Sequence, residues 1–332
     1  MLEEPFFSVI IVNYNAGAYL QQCVNSLVGQ TFTHFETWIV DNDSHDGSME
    51  TLDLSALISS QVIMMGRNSG FAEGNNVAAR RANGKWIVLL NADAVAEPDW
   101  LQVLHDAIAK YPEAAMFAST QLRMEEKGLL DGVGDGYSAY GFPWRGGYLK
   151  PVSSKPDFVG ECFGPCGAGA IYRKDVFLKH DGFDERYFCY VEDVDLSFRL
   201  RLDGEHCLFL PDAIIHHKGG GLAGEESEFS VFHGSRNRVW TYVGNMPAAL
   251  LALTLPAHLV LTAFLILKHF GKPYSRYVWR GTKAGWADAF SFRRERKALR
   301  TNRKISIAIL CRALTWNIFK VSAHGSAVHK RR

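Results

Sequence analysis

The sequence lacks several features that would settle its class quickly. It has no internal repeat, no low-complexity tract and no Cys-x2-Cys pair. Its six cysteines include one Cys-x3-Cys, Cys162 and Cys166, with no second ligand pair at zinc-finger spacing. No structural metal is expected there, and reduced thiols in a cytosolic body are. The N-terminus, MLEEPFFSVIIVNYN, is acidic and enters a strand at once, so a signal peptide is not expected. Net charge is also scarce, at +1. That balance hides an asymmetry. Residues 268–332 carry 17 Lys/Arg against Asp288 and Glu295, whereas the first 267 residues carry 19 Lys/Arg against 33 Asp/Glu. An acidic body and a basic tail imply different partners.

With 332 residues and 47% hydrophobic content, the chain can bury one sizeable domain plus an appendage. The first half alternates strand and helix. FSVIIVNYN (7–15) is a continuous apolar run of buried-strand type, and in residues 16–30 Leu20, Cys23, Val24 and Leu27 share one helical face. A second strand runs into DNDSHDGS, and residues 62–84 pass from a short strand through a Gly/Asn-rich loop into a helix. Trp86–Leu90 follows as a third buried run. Repeated β-α-β units predict a mostly parallel sheet covered on both faces, with ligands at the carboxyl ends of its strands. Residues 124–160 are Gly-rich and weakly periodic and read as a long loop or small insertion, and residues 164–204 read as strand, helix, loop and helix.

From Val239 to Leu267 there is no Asp, Glu, Lys or Arg for 29 residues. That length can span about 30 Å of hydrocarbon as a helix. Pro256 and His258 interrupt it, and a single span would put the basic tail opposite a cytosolic body, against the positive-inside tendency. An interfacial helix followed by basic amphipathic segments on an anionic membrane surface is the expectation. The domain division drawn is a catalytic unit over 1–240, with halves of about 1–120 and 121–240, and a membrane-associating region over 241–332.

Acidic residues gather at strand ends: Asp41 and Asp43 after the second strand, Asp93 after the third, and Glu192-Asp193-Val194-Asp195 at a helix start behind RYFCYV. An acidic first turn suits the helix dipole by itself. A carboxylate at the mouth of a buried strand is different, because burial disfavours its charge unless a cation meets it. IIHHKGGG (214–221) adds two imidazoles and a glycine run through which backbone can approach phosphate. Carboxylate, imidazole and glycine loop together suit a divalent cation carrying a diphosphate; a histidine ligand tilts the choice from Mg²⁺ toward Mn²⁺.

SVIIVNYN, WIVDNDSHDGS, RNSGFAEGNN, LLNADA, GAGAIYRKDVF, GFDERYFCYVEDVDLSFRL and HHKGGG, in that order, resemble glycosyltransferase family 2, in its rhamnosyltransferase-like bacterial branch. The likeness covers about residues 7 to 245. It implies an α/β GT-A nucleotide-diphospho-sugar transferase fold and an inverting, metal-dependent transfer. Val12, Tyr14 and Asp41 would contact nucleobase and ribose, with Asp43 nearby; Asn68, Gly70, Phe71 and Asn75 match the loop closing over the donor. Asn91-Ala92-Asp93 matches the family's DxD-like motif with Asn first, leaving Asp93 as its firm carboxylate ligand. His216 or His217 matches the histidine near the metal, His216 being preferred; Asp193 matches the catalytic base, with Glu192 toward the acceptor. Transfer of L-rhamnose from dTDP-rhamnose to a lipid-linked or growing cell-surface glycan is the first expectation, at the cytoplasmic face of a bacterial membrane. A UDP-linked galactofuranose, glucose or N-acetylhexosamine donor is the alternative.

Residues 132–147 could order around an acceptor sugar or form a surface loop, and Arg236 and Arg238 could contact phosphate or face solvent. The processive QxxRW signature is absent, which points to single additions. A nucleotidyltransferase would need a basic, Gly-rich loop after the first strand, where this chain has NYNAGAYL. A membrane-bound carbohydrate- or nucleic-acid-binding module is permitted by the tail but not predicted by the acidic body, and no nucleic-acid partner is expected.

Overall fold

A computed structural model describes residues 4–219 and 227–331. The first half builds β1 (Phe7–Asn13), α1 (Ala18–Val28), β2 (Phe35–Asp41), β3 (Ser60–Met64), α2 (Gly70–Arg81), β4 (Trp86–Leu90), β5 (Ala94–Ala96), α3 (Trp100–Lys110) and β6 (Met116–Arg123). Then come β7 (Leu130–Val133), β8 (Asp135–Tyr137), β9 (Pro143–Arg145), β10 (Gly160–Cys162), β11 (Gly169–Arg173), α4 (Lys174–Lys179), α5 (Glu192–Leu202) and β12 (Cys207–His217). Helices α6 (Glu228–Asn245), α7 (Ala248–Lys268), α8 (Ser275–Glu295), α9 (Lys297–Thr301), α10 (Ile307–Ala313) and α11 (Ile318–Ser322) complete the described chain.

Strands order as β10-β12-β6-β11-β4-β1-β2-β3, with β5 on β12 and β7 on β6. Alternate residues serve opposite faces, as pleating requires. Val9, Ile11, Val88 and Leu90 pack under α1 and α3, while Ile10, Ile87 and Leu89 pack under α2, α4 and α5. The expected α/β sheet is present, with antiparallel strands added to its parallel part. It is parallel through β3-β2-β1-β4, but β11 runs antiparallel to both β4 and β6. The reason is local: β11 starts at Gly169 opposite Leu90, the end of β4, so it must run back along it. Residues 124–160 are likewise not a loose loop; β7 joins the sheet and β8 pairs with β9.

Helix α5 is buried nearly all round. Leu196 and Leu200 face the sheet, while Val194, Phe198 and Leu202 face a further core formed with α6, α8 and Tyr137. The boundary drawn at residue 240 falls inside α6, which packs closely on α8. A Cβ on Gly281 would lie 2.4 Å from the Phe232 carbonyl oxygen, so only glycine lets the two backbones meet there. The basic C-terminal region is thereby partly matched to the acidic body. Arg296 pairs with Asp184 at 2.6 Å and with buried Asp195, and Lys304 reaches Asp203 at 3.0 Å.

Candidate active site

Strand β4 ends at Leu90, the chain turns through Asn91-Ala92-Asp93, and β5 pairs antiparallel with the end of β12, setting His217 opposite Ala94. His217 Nε2 thus lies 3.2 Å from Asp93 Oδ1 and 3.3 Å from Asn91 Nδ2, and its Nδ1 lies 2.9 Å from Asp131 Oδ2. Burial pulls the imidazole pKa down, but Asp131 and Asp93 outweigh it and hold His217 up at about 9. Burial would raise the Asp131 carboxyl; Arg145, 2.7 Å away, and His217 bring it down to about 2. The preference for His216 is corrected. Successive strand residues face opposite sides, and His216 turns from Asp93 to Glu97, at 2.6 Å. Gly219 of the expected glycine run is described, while Gly220 and Gly221 lie outside the described residues.

A cavity of about 480 Å³ adjoins this edge, bordered by Asn91, His217, Phe71, Glu192, Asp193 and Asp135, with Trp144, Arg145, Tyr148 and Tyr190 among its other walls. Asp193 Oδ2 accepts the Gly167 N–H at 2.8 Å, and Oδ1 accepts the Val194 N–H at 2.7 Å. Burial raises its pKa; these donors and Arg145 resist the rise. Burial and the neighbouring Asp193 push Glu192 well above the usual carboxylate range.

The approach to these acids is strained. Phe188, Tyr190 and Val191 have φ of 66°, 71° and 69°, a region that costs a β-branched residue on the order of 1–3 kcal/mol. Asn237 of α6 holds the segment, its Nδ2 donating to the carbonyls of Tyr187, Cys189 and Tyr190 at 3.0, 3.0 and 2.8 Å. On the other side Ala72 N–H donates to the Phe188 carbonyl at 3.1 Å. A Cβ on Gly70, whose φ is 80°, would lie 2.5 Å from that oxygen. The Asn68–Asn75 segment and the acidic turn are therefore one connected unit.

The remaining expected residues lie elsewhere on this edge. Asp41 is buried, its Oδ1 accepting from Asn13 Nδ2 at 2.9 Å and its Oδ2 from the Ser44 N–H at 3.0 Å. Tyr14 is exposed, Val12 is half-buried beneath Gly74, and Asp43 has φ 64° with His45 at 3.4 Å. Asn68 accepts the Gly70 N–H at 3.0 Å. Asn75 is buried and donates to the Phe71 carbonyl at 2.9 Å, and Ala92 is buried in the core under α1 and α3. These two shape the site without lining it. Arg236 is half-buried and donates to the Arg186 and Tyr187 carbonyls at 3.1 Å, and Arg238 is buried, lies over Phe142 and reaches Thr262 at 3.2 Å.

Sequence reasoning missed Asp131, Asp135 and Arg145. Their signal was two aspartates four residues apart inside an apolar, Gly-rich run, LLDGVGDG, where charge has no reason to sit unless it is paired. Asp135, Cys166 and Asp193 each place one ligand-type atom within 4.8 Å of the others. Burial pushes the Cys166 thiol up to about 12, so it stays protonated and the group offers carboxyls alone.

The mixed sheet flanked by helices is a GT-A-like α/β fold. Residues 8–180 match glycosyl transferase family 2, and the chain belongs to that family and is a glycosyltransferase. It is 25% identical over 269 residues to an N-acetylglucosaminyl-diphospho-decaprenol L-rhamnosyltransferase of Mycobacterium tuberculosis, covering 70% of this chain and 85% of that protein. It is 31% identical over 130 residues to the putative teichuronic acid biosynthesis glycosyltransferase TuaG of Bacillus subtilis, 39% of this chain and 52% of that one. Among solved structures, S. aureus TarS 1-349 superposes with a TM-score of 0.58 at 18% identity, over 88% of this chain and 82% of that one. The mannosyltransferase PcManGT of Pyrobaculum calidifontis, in complex with GDP-Man and Mn²⁺, superposes at 0.52 and 16% identity, over 87% and 88%.

Proposed function

We propose that this glycosyltransferase inverts the anomeric carbon as it moves L-rhamnose from dTDP-rhamnose onto a lipid-linked or growing cell-surface glycan. A UDP-linked galactofuranose, glucose or N-acetylhexosamine is the second donor class. The observation carrying the transfer chemistry is two acids at this sheet edge: Asp193 borders the cavity, and Asp93 lies behind it against the cavity-lining His217 at 3.2 Å. Asp93 Oδ2 is buried without a hydrogen-bond partner among the described residues, and Asp193 is held by two backbone N–H groups. The rhamnose donor and the lipid-linked acceptor rest on the mycobacterial relative.

A divalent metal would fit the Asp93 edge: an orphaned carboxylate oxygen, the Asn91 amide oxygen and, once its Nε2 gives up a proton, the His217 imidazole are the donor set that Mn²⁺ or Mg²⁺ would use. When bound, it offsets charge developing on the leaving diphosphate. The protein's own residues do the rest. Asp193 takes the proton from the acceptor hydroxyl as that oxygen bonds the anomeric carbon and the carbon–diphosphate bond breaks on the opposite face. Glu192 faces the acceptor, with Tyr190, Trp144 and Tyr148 as ring surfaces for a sugar. The test is nucleoside diphosphate release from a panel of dTDP- and UDP-sugars with Mn²⁺, Mg²⁺ or EDTA. dTDP-rhamnose is expected to turn over fastest, chelation to stop it, and Asp93→Ala to lose it. Turnover of no nucleotide sugar overturns the assignment.

The same reading places the protein on an anionic membrane surface at its cytoplasmic face. Helix α7 is long and apolar enough to cross a membrane. Its polar stripe, however, faces the protein. Thr254, His258 and Thr262 are buried, meeting Tyr242 at 2.7 Å, the Tyr140 carbonyl at 2.7 Å and Arg238 at 3.2 Å. Leu253, Val260, Phe264 and Leu267 point outward, continued by Phe270 and Trp279 among exposed Lys268, Lys272, Arg276 and Arg280. A helix apolar outside and polar inside suits docking in the plane of the interface. The triple substitution Val260→Glu, Phe264→Glu, Leu267→Glu is expected to lower binding to phosphatidylglycerol-containing vesicles at least about tenfold, since each apolar side chain buried contributes about 1.5–3 kcal/mol. Cosedimentation checks it; unchanged binding refutes docking through α7.

A further inference from the structure

Three carboxyl groups border one cavity, and the described residues supply backbone donors to both oxygens of only one, Asp193. Asp135 Oδ1 and Glu192 Oε2 are buried and meet no hydrogen-bond partner among the described residues. Asp135 is 6% exposed and fixed in place: its N–H donates to the Gly164 carbonyl at 2.9 Å and its carbonyl accepts the Phe163 N–H at 2.9 Å. One oxygen of Asp135 lies within 4.8 Å of an Asp193 oxygen.

The surroundings do not support two negative charges at that separation. Within electrostatic reach of Asp135 are Glu192 and Asp193 of α5, Asp131 of β7, Arg145 of β9, the Cys166 thiol and Tyr172 of β11, Asp193 and Cys166 being within 4.8 Å. Arg145 is the cation of this set, and it already sits 2.7 Å from Asp131. Like charges this close share a proton, which rests on the group whose ionised form is least solvated.

We infer that Asp135 is a further acceptor-binding residue that carries the proton of the Asp135–Asp193 pair at neutral pH. Its carboxylic O–H donates a hydrogen bond to the acceptor sugar, while Asp193, ionised and held by Gly167 and Val194, takes the proton of the attacking hydroxyl. The inference rests on the transfer reaction proposed above. It also specifies the ligand: the acceptor must present a lone-pair oxygen, a neighbouring hydroxyl or ring oxygen, beside the hydroxyl that attacks. Burial and the Asp193 charge raise the Asp135 carboxyl well above the usual range, in agreement with the geometry.

The first test needs no substrate, so it stands or fails apart from the donor assignment. In infrared difference spectra of the full chain at pH 7, wild type minus Asp135→Asn is expected to contain the carbonyl stretch of a protonated carboxylic acid. Wild type minus Asp193→Asn is expected to contain carboxylate bands. Loss of carboxylate bands alone in the Asp135→Asn difference overturns the inference. The second test uses the donor selected by the panel and alkyl glycosides as acceptors. Asp135→Asn, neutral and still a donor, is expected to leave the acid limb of the pH profile in place and to restore most of the acceptor kcat/KM that Asp135→Leu loses, a loss of about tenfold or more with donor KM unchanged. An acid limb moved down by about one pH unit in Asp135→Asn would show that an ionised neighbour had been removed and would overturn the inference, as would full activity in Asp135→Leu.

Discussion

Asp193→Asn is expected to turn over nucleotide sugar about 10²–10⁴-fold more slowly than wild type, with little change in donor KM, because general-base assistance is worth that much. The substitution is nearly isosteric, and the new amide oxygen still accepts one of the two N–H bonds now made by Gly167 and Val194. What disappears is a lone pair basic enough to take the acceptor proton. In the proposed reaction donor affinity would rest on the strand-end residues and the Asn68–Asn75 segment, so binding and turnover should separate. Initial rates at saturating donor, with KM measured alongside, decide the matter. A variant retaining wild-type kcat would remove Asp193 from the reaction and leave Glu192 as the acid to examine.

Arg296→Ala is expected to cost about 3–5 kcal/mol of stability, the range seen when a buried ion pair loses one partner. Asp195 is fully buried and receives Tyr187 Oη at 2.9 Å, Asn245 Nδ2 at 2.8 Å and Arg199 Nε at 3.0 Å besides Arg296. Burial would raise its carboxyl; Arg296 and Arg199 hold it well below the usual range. A depressed folded-state pKa contributes stability that is present above the ordinary aspartate value and lost as pH falls through the folded one. The Arg296 effect should therefore be complete at neutral pH. Urea unfolding gives the number, and adding Asp195→Asn to Arg296→Ala should recover part of the loss, since the two sites share one network. A change below about 0.5 kcal/mol would show that Arg199 alone suffices. The same contact governs truncation. Removing residues 246–332 deletes Arg296 and uncovers the core shared by α5, α6 and α8, so a truncated chain tests folding before it tests membrane binding. The triple substitution on α7 avoids that ambiguity.

Much of the candidate site was legible because local pattern carried it. An apolar run ending in a carboxylate places Asp93 at a strand mouth without any coordinates, and the acidic turn Glu192-Asp193 is marked by its position at a helix start. The choice between His216 and His217 was not legible. One residue of register decides which face of β12 each occupies, and that register is set by pairing with β5 and β6, far away in sequence. Asp135 escaped notice for a related reason. Its closeness to Asp193 exists only because β8 bridges to Gly164 and α5 is clamped between two cores.

By itself, then, the sequence determined the alternation of strands and helices and the acids placed at strand ends, since these follow from periodicity and short-range spacing, and its ordered motifs carried the resemblance to a sugar-transferring family. Tertiary structure alone decided that the sheet is mixed, that α7 turns its polar stripe inward, that basic residues of the C-terminal region lock onto Asp184 and Asp195, and which imidazole meets Asp93. Each of those depends on contacts between residues tens to more than a hundred positions apart. Their free energies reflect burial and charge pairing, which no window of local sequence contains.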